Sequence, residues 1–145
     1  MSNGAIETMM VDIGYTQIGK SLRLPVHAYM ALSDAKSPDY QAGFETGMGA
    51  VLAAMAGVNI VSGPGILDFV ACQSLEKLVL DAEVCMMVRR LKDGVTFKDA
   101  TAGIDVLREF VTSGAKTFMT SEHTRSHFRS EVHYPSDIVD RGTYG

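Results

Sequence analysis

Residues 31–65 read ALSDAKSPDYQAGFETGMGAVLAAMAGVNIVSGPG, and the order of residue types in this stretch decides the fold class. A polar loop, Ser33–Asp39, comes first. A long helix built from small residues follows, then a short β-branched run at Val58–Ser62 that ends in a glycine-rich turn. Just upstream, Leu22–Met30 (LRLPVHAYM) reads as a second strand, with Pro25 near its start, where a missing N–H does least harm. Together these make a strand–loop–helix–strand–loop unit, the repeating piece of a parallel α/β fold. Loops that follow the strands carry the ligands in such folds. The candidate site residues therefore collect on three loops, Ser33–Asp39, Ser62–Asp68 and Thr120–His127.

Working outward, Ser37 and Pro38 mark the helix start, serine as a cap and proline preset for the first helical position, with Asp39 in the first turn. Phe44, Met48, Val51, Leu52 and Met55 recur at helical spacing and predict one apolar, buried face. Gly43, Gly47, Gly49, Ala50, Ala53 and Ala54 keep the rest small, which lets a helix lie close against a sheet. Gly57 is a natural left-handed stop. Val58–Ser62 reads as a central strand buried on both faces. Upstream, Ala5–Lys20 is a helix with an apolar stripe of Ile6, Met9, Met10, Ile13 and Ile18.

Downstream, Ser74 caps a helix that runs to Lys92. Leu75, Leu78, Val79, Ala82, Cys85 and Met86 are its expected buried face. Arg89, Arg90 and Lys92 suit the negative end of its dipole, and Gly94 ends it. Thr96 with Asp99 resembles a capping box, opening a helix that carries Ala100, Ile104, Leu107 and Val111. Ser113-Gly114 stops that helix. Lys116–Met119 reads as a short strand, Ser121 caps a last helix over Glu122–Phe128, and loop is expected from Glu131 onward. No repeat or linker divides the chain, so residues 1–145 read as one domain.

The totals exclude several classes. At 145 residues with 46% hydrophobic and 21% charged positions, the chain has material for a core and is not broadly disordered. A net charge of −4 leaves no basic footprint for nucleic acid. No basic region precedes an apolar run at the N-terminus, so no signal peptide is read there. The most apolar window, Gly47–Val61, is shorter than the ~20 residues a membrane span needs. Cys72 and Cys85 are too few and too far apart for a metal knuckle or a disulfide framework. They read as two reduced, buried thiols of a cytoplasmic protein.

Three features bear on chemistry. The loop Ser33-Asp34-Ala35-Lys36-Ser37-Pro38-Asp39 sets two acids, a base and two hydroxyls before a helix start, either as a binding site or as a capped, solvated turn. The turn Ser62–Gly65 lacks Gly-Lys-Ser/Thr and GxGxxG, and Pro64 removes a donor. Gly63 and Gly65 fit close backbone packing, or approach to a flat ligand, better than a phosphate cradle. His123 and His127 are four apart and share a helix face, but HTRSH lacks the HExxH glutamate and offers no third ligand. A substrate-contacting or surface histidine is the better reading, and no metal is expected.

SDAKSPDYQAGFE (Ser33–Glu45), SLEKLVLDAEVCMMVRR (Ser74–Arg90) and EHTRSHFRSE (Glu122–Glu131), with Asp140-Arg141 after a proline-containing loop, together resemble one family. In order, and over nearly the whole chain, they look like the C-terminal part of the trimethylamine methyltransferases, a family that includes the glycine betaine:corrinoid methyltransferases. The resemblance implies a (β/α)8 TIM barrel of several hundred residues, of which this α/β chain would hold about the last three βα units. Such a piece would leave sheet edges and apolar faces uncovered, so a fragment, a truncated product, or a chain that pairs with itself or with another is expected.

The resemblance also implies an activity: transfer of a methyl group from a methylated amine or betaine to the Co(I) of a corrinoid carried by a separate protein. The protein's part would be to position the methyl group. Aromatic faces would receive a quaternary ammonium, with Tyr29, Tyr40, Phe44 and Phe69 near the loops. Asp34 would add attraction, and Lys36 would hold a betaine carboxylate. Some members that act on trimethylamine carry pyrrolysine; this sequence contains none and looks more like the broader branch. The site expected from loops and resemblance together is Ser33, Asp34, Lys36, Asp39, Gly63, Gly65 and His123. A non-catalytic half-barrel that assembles with a partner is the competing reading. A zinc hydrolase using His123 and His127 is a third.

Overall fold

The structure, a computed structural model, describes residues 2–95 and 102–144, with the backbone alone at Ala102. The expected capping box at Thr96 and Asp99, and Ala100, lie outside the described residues. The chain divides into two units, Met1–Lys92 with Ser136–Gly145, and Asp93–Pro135.

In the first unit, helix α1 (Ile6–Ser21) precedes a parallel βαβ element: β1 (His27–Ala28), α2 (Tyr40–Ala56) and β2 (Ile60–Val61). His27 is opposite Ile60 and Ala28 opposite Val61. The Val26 carbonyl accepts from the Asn59 and Ile60 amides, and the Asn59 side chain accepts from the Val26 amide at 2.9 Å, so the pairing continues one step beyond the strands. The expected strand Leu22–Met30 is thus paired over two residues only, because its first residues turn, with Arg23 at a φ of 59°. The expectation that β2 is buried on both faces is overturned. Ile60 is 60% exposed, since β2 pairs with β1 on one side and with no other strand among the described residues.

Helix α2 starts two residues later than Ser37 and Pro38 indicate. Asp39 is its cap, accepting from the Ala42 amide at 3.0 Å, while the Ser37 hydroxyl donates to the other Asp39 oxygen at 3.2 Å. It ends at left-handed Gly57, as read. Its buried face is the reverse of the expected one. Ala42, Thr46, Gly49, Ala50, Ala53 and Ala56 are inside, whereas Phe44, Met48, Val51 and Met55 are exposed. The reason is distance: a Cβ at Gly49 would lie 2.7 Å from the Ala31 amide nitrogen, so the helix packs too closely for large side chains. The core is Met9, Ala28, Met30, Ala53, Ala56 and Val58, with Ile13 and Leu52 packed on it. Of the α1 stripe, Met9 is buried, while Ile6, Met10 and Ile18 face out.

After the Gly63–Gly65 turn the chain forms an unexpected antiparallel hairpin, β3 (Ile66–Leu67) and β4 (Cys72–Gln73). Its tip, Asp68–Val70, is left-handed throughout, with φ of 50°, 55° and 71°. Helix α3 (Leu75–Asp93) follows, capped by Ser74, whose hydroxyl accepts from the Lys77 amide at 3.1 Å. Here too the expected face is overturned: Lys77, Asp81 and Glu83 are buried, and Leu75, Leu78, Val79 and Met86 are exposed. The charged residues go inside because each finds a polar partner there. Glu83 accepts from the Ser136 amide at 3.2 Å, and the Lys77–Asp81 pair is described with the site below.

The second unit holds α4 (Ala102–Ser113), a helical turn at Phe118–Thr120 and α5 (Glu122–Glu131). Ile104, Leu107 and Val111 of α4 are exposed. The expected strand at Lys116–Met119 is instead this turn, in which the Thr117 hydroxyl accepts from the Met119 amide and the Phe118 ring stacks on Phe110 at 3.8 Å. Ser121 caps α5 as read, accepting from the Thr124 amide at 3.1 Å, and α5 runs on to Glu131. No described helix is long and apolar enough to cross a membrane.

Candidate functional site

The loop after β1 is fixed by one carboxylate on α2. Glu45 accepts from the Ser33 hydroxyl at 2.6 Å and from the Asp34 amide at 2.9 Å, both on Oε2, while its Oε1 accepts from the Gln41 side chain. Ser33 has no exposed surface, and its hydroxyl also accepts from the Ala35 amide. Two bonds to Glu45 and one internal bond thus define the loop before any ligand is considered.

Asp34 points inward. It is 5% exposed, and its Oδ2 accepts from the Gly4 amide at 2.7 Å and from the Ser2 hydroxyl. Its Oδ1 is buried without a protein partner. Lys36, two residues on, points outward and is held on three sides. Its ammonium donates to the Asp34 carbonyl at 2.7 Å, pairs with Asp68 at 2.9 Å and lies 3.9 Å above the centre of the Phe69 ring. Asp68 and Phe69 come from the left-handed hairpin tip. The Asp68 amide donates to the Ala35 carbonyl at 3.1 Å and the Ser33 amide to the Ile66 carbonyl at 3.2 Å, so the hairpin is stitched to the loop. The result is a small cation site: a carboxylate, a carbonyl and an aromatic face around one ammonium.

The base of the hairpin is anchored below. The Gly65 amide donates to Asp81 Oδ2 at 2.7 Å, and the same oxygen pairs with the buried Lys77 ammonium. Lys77 also donates to the Thr46 hydroxyl of α2 at 2.7 Å. This cluster ties α2, α3 and the hairpin together, and each of its charges is compensated, as burial requires. It also sets the chemistry of Cys85: burial pushes that thiol up, the Asp81 charge adds to the effect, and Lys77 opposes it.

Of the residues expected at the site, Lys36 lies at its centre, and Ser33 and Asp34 shape the loop beneath it. Asp39 is the α2 cap, its carboxyl held below the usual range chiefly by the Ala42 amide. Gly63 lets two backbones meet, since a Cβ there would fall 2.7 Å from the Met30 carbonyl carbon. Gly65 takes a φ of 83° and serves the Asp81 anchor. His123 is in the second unit, edge-on to His127 with ring centres 4.7 Å apart. Among the described residues no group of three His, Cys, Asp or Glu side chains is placed to hold a metal. Sequence reasoning missed Glu45, Thr46, Lys77 and Asp81. The signal for the last pair was a lysine and an aspartate four apart, on a helix that also carries Glu76 and Glu83 and so gave no reason to bury them.

Residues 1–145 match the family described as trimethylamine methyltransferase (MTTB). A trimethylamine methyltransferase of Desulfitobacterium hafniense is 29% identical over 138 residues, covering 95% of this chain and 27% of its own length. One of Methanosarcina mazei is 30% identical over 144 residues, 98% of this chain and 28% of its own. A glycine betaine methyltransferase of Desulfitobacterium hafniense is 30% identical over 145 residues, 99% of this chain and 30% of its own. The chain therefore spans less than a third of the length of these curated relatives.

Proposed function

The chain belongs to the trimethylamine methyltransferase family, and from that premise we propose that it forms part of a methyltransferase acting on a methylated amine or betaine, with a (β/α)8 barrel as the complete fold and the cytoplasm as its place. The observation that carries the reading is the ammonium of Lys36 seated against Phe69 and Asp68. The loop after β1 and the neighbouring hairpin tip already accommodate an alkylammonium ion, the charge type of such a substrate.

The methyl acceptor in this reading is the Co(I) of a corrinoid on a separate protein, which supplies the attacking electron pair. The carbon–nitrogen bond breaks as the methyl group is captured, and its pair stays on the departing amine. The chain's own contribution is to orient: Phe69 and Asp68 receive the cationic nitrogen, and Glu45 holds the loop that carries Lys36. An aromatic face suits a quaternary nitrogen, which has no N–H to offer to a hydrogen-bond acceptor.

The test mixes the chain with a reduced corrinoid protein and a panel of methylamines and betaines. The cobalt spectrum and the demethylated product are then followed. Methyl transfer from at least one ammonium donor is expected; the absence of any demethylated product across the panel would overturn the catalytic reading. The wide exposed apolar surface of α2 and α3 favours a second one, a barrel segment that acts only when assembled with a partner chain. Transfer that appears only on adding the partner would support it.

A further inference from the structure

The cation seated between the two loops belongs to the protein itself. We infer that Lys36 is a displaceable stand-in for the ligand's ammonium, and that its displacement makes this site select zwitterionic betaines over ammonium compounds without a carboxylate. The inference rests on the substrate class proposed above and adds a specificity-determining residue to it.

The two halves of the site differ in rigidity. The receiving half is fixed. Three successive left-handed residues, Asp68, Phe69 and Val70, persist only because the surroundings determine them. Those surroundings are visible: the Asp68 amide bonds to the Ala35 carbonyl, the Ala71 amide to the Asp68 carbonyl at 2.8 Å, and the Gly65 amide at the hairpin base to buried Asp81. The occupying half is looser, although the Lys36 ammonium also keeps a bond within its own loop, to the Asp34 carbonyl. The Lys36 side chain is 62% exposed and Asp68 44%, and a solvent-exposed ion pair is weak. Its four-carbon stem lets the ammonium leave without moving the loop.

A trimethylammonium group competes well for this place. Its charge is spread over methyl groups that cover the Phe69 face, and it is less strongly hydrated than the lysine head. Displacement leaves the Lys36 ammonium tethered beside the site. A ligand carboxylate directed away from Asp68 can then accept from it, restoring an ion pair. A ligand without a carboxylate gains no such partner. Lys36 therefore opposes every incoming cation and repays only the zwitterion.

The experiment titrates the 145-residue chain with tetramethylammonium chloride and with glycine betaine by calorimetry, comparing wild type with Lys36→Met and Lys36→Gln. Removing the internal competitor is expected to tighten tetramethylammonium binding about tenfold and to abolish the preference for glycine betaine. Phe69→Leu is expected to remove binding of both ligands in every background. Unchanged tetramethylammonium affinity in both Lys36 variants, a betaine preference that survives them, or no binding by any form would overturn the inference. The methyl-transfer assay decides the reading beneath it separately. Transfer by a chain whose Lys36 variants bind like wild type overturns the inference alone; ligand exchange without transfer overturns the catalytic reading alone.

Discussion

Individual residues matter here mostly by how closely backbones approach. Gly63 and Gly47 look alike in the sequence, yet their environments are opposite. A Cβ at Gly63 meets the Met30 carbonyl, whereas one at Gly47 meets nothing within 4 Å. Gly63→Ala is expected to cost on the order of 3 kcal/mol, as overpacking against rigid backbone does. Gly47→Ala should stabilise α2 by roughly 0.5–1 kcal/mol, because alanine is the better helix former. Urea denaturation of the two variants checks both signs. The cysteines separate in the same way. Against the expectation of two buried thiols, Cys72 on the hairpin strand β4 is exposed, and Cys85 is half-buried with its thiol pushed up by burial and by Asp81. Cys72 should be alkylated first at neutral pH, with Cys85 following only at clearly alkaline pH; mass spectrometry of a time course reads the order. The place of Lys36 in the loop after β1 followed from the order of strand and helix, but its contacts with Asp68 and Phe69 did not, because they come from the unread hairpin tip. Lys77 and Asp81 were not legible in the sequence, because a charged pair on a helix reads as solvated face until the partners that bury it, Thr46 and the Gly65 amide, are known.

Elements were legible where local chemistry fixes them and illegible where packing does. Helix ends followed from Gly57, Ser74, Gly94 and Ser121, each satisfying a helix end by a bond or a left-handed turn, whereas α2 is capped by Asp39 and not by the expected Ser37. Which face of α2 or α3 turns inward did not follow from periodicity. Large apolar residues lost to small ones on α2 because the strand and loop beneath lie so near, and lost to a charged cluster on α3. The hairpin was missed because its two-residue strands are below any pattern, and its left-handed tip uses no glycine. A pH dependence belongs to this scale. The Asp39 carboxyl is held low, first by the Ala42 amide, so the charged cap stabilises α2 above the unfolded carboxylate range and is lost as pH falls through its lower folded value. Asp39→Ala should lower the melting temperature at pH 7. The gap from wild type should close on acidification below about pH 4, which thermal scans across pH will show.

Taken whole, the first unit shows solvent more apolar side chain than a closed surface would. Phe44, Met48 and Met55 on α2, Leu75 and Val79 on α3, and Ile60 on the strand edge are all uncovered. The chain alone should self-associate as concentration rises, and paired Met48→Glu and Leu75→Glu substitutions should reduce the association; sedimentation measures both. The carboxylates that pin the site have a further meaning in time. The Asp34 amide is locked to Glu45 and the Gly65 amide to Asp81, and these bonds span 11 and 16 residues. In heavy water their protons should be among the last to be replaced, escaping only when the unit opens as a body. Isotope exchange at two positions would thus record how long the binding loops stay assembled between openings.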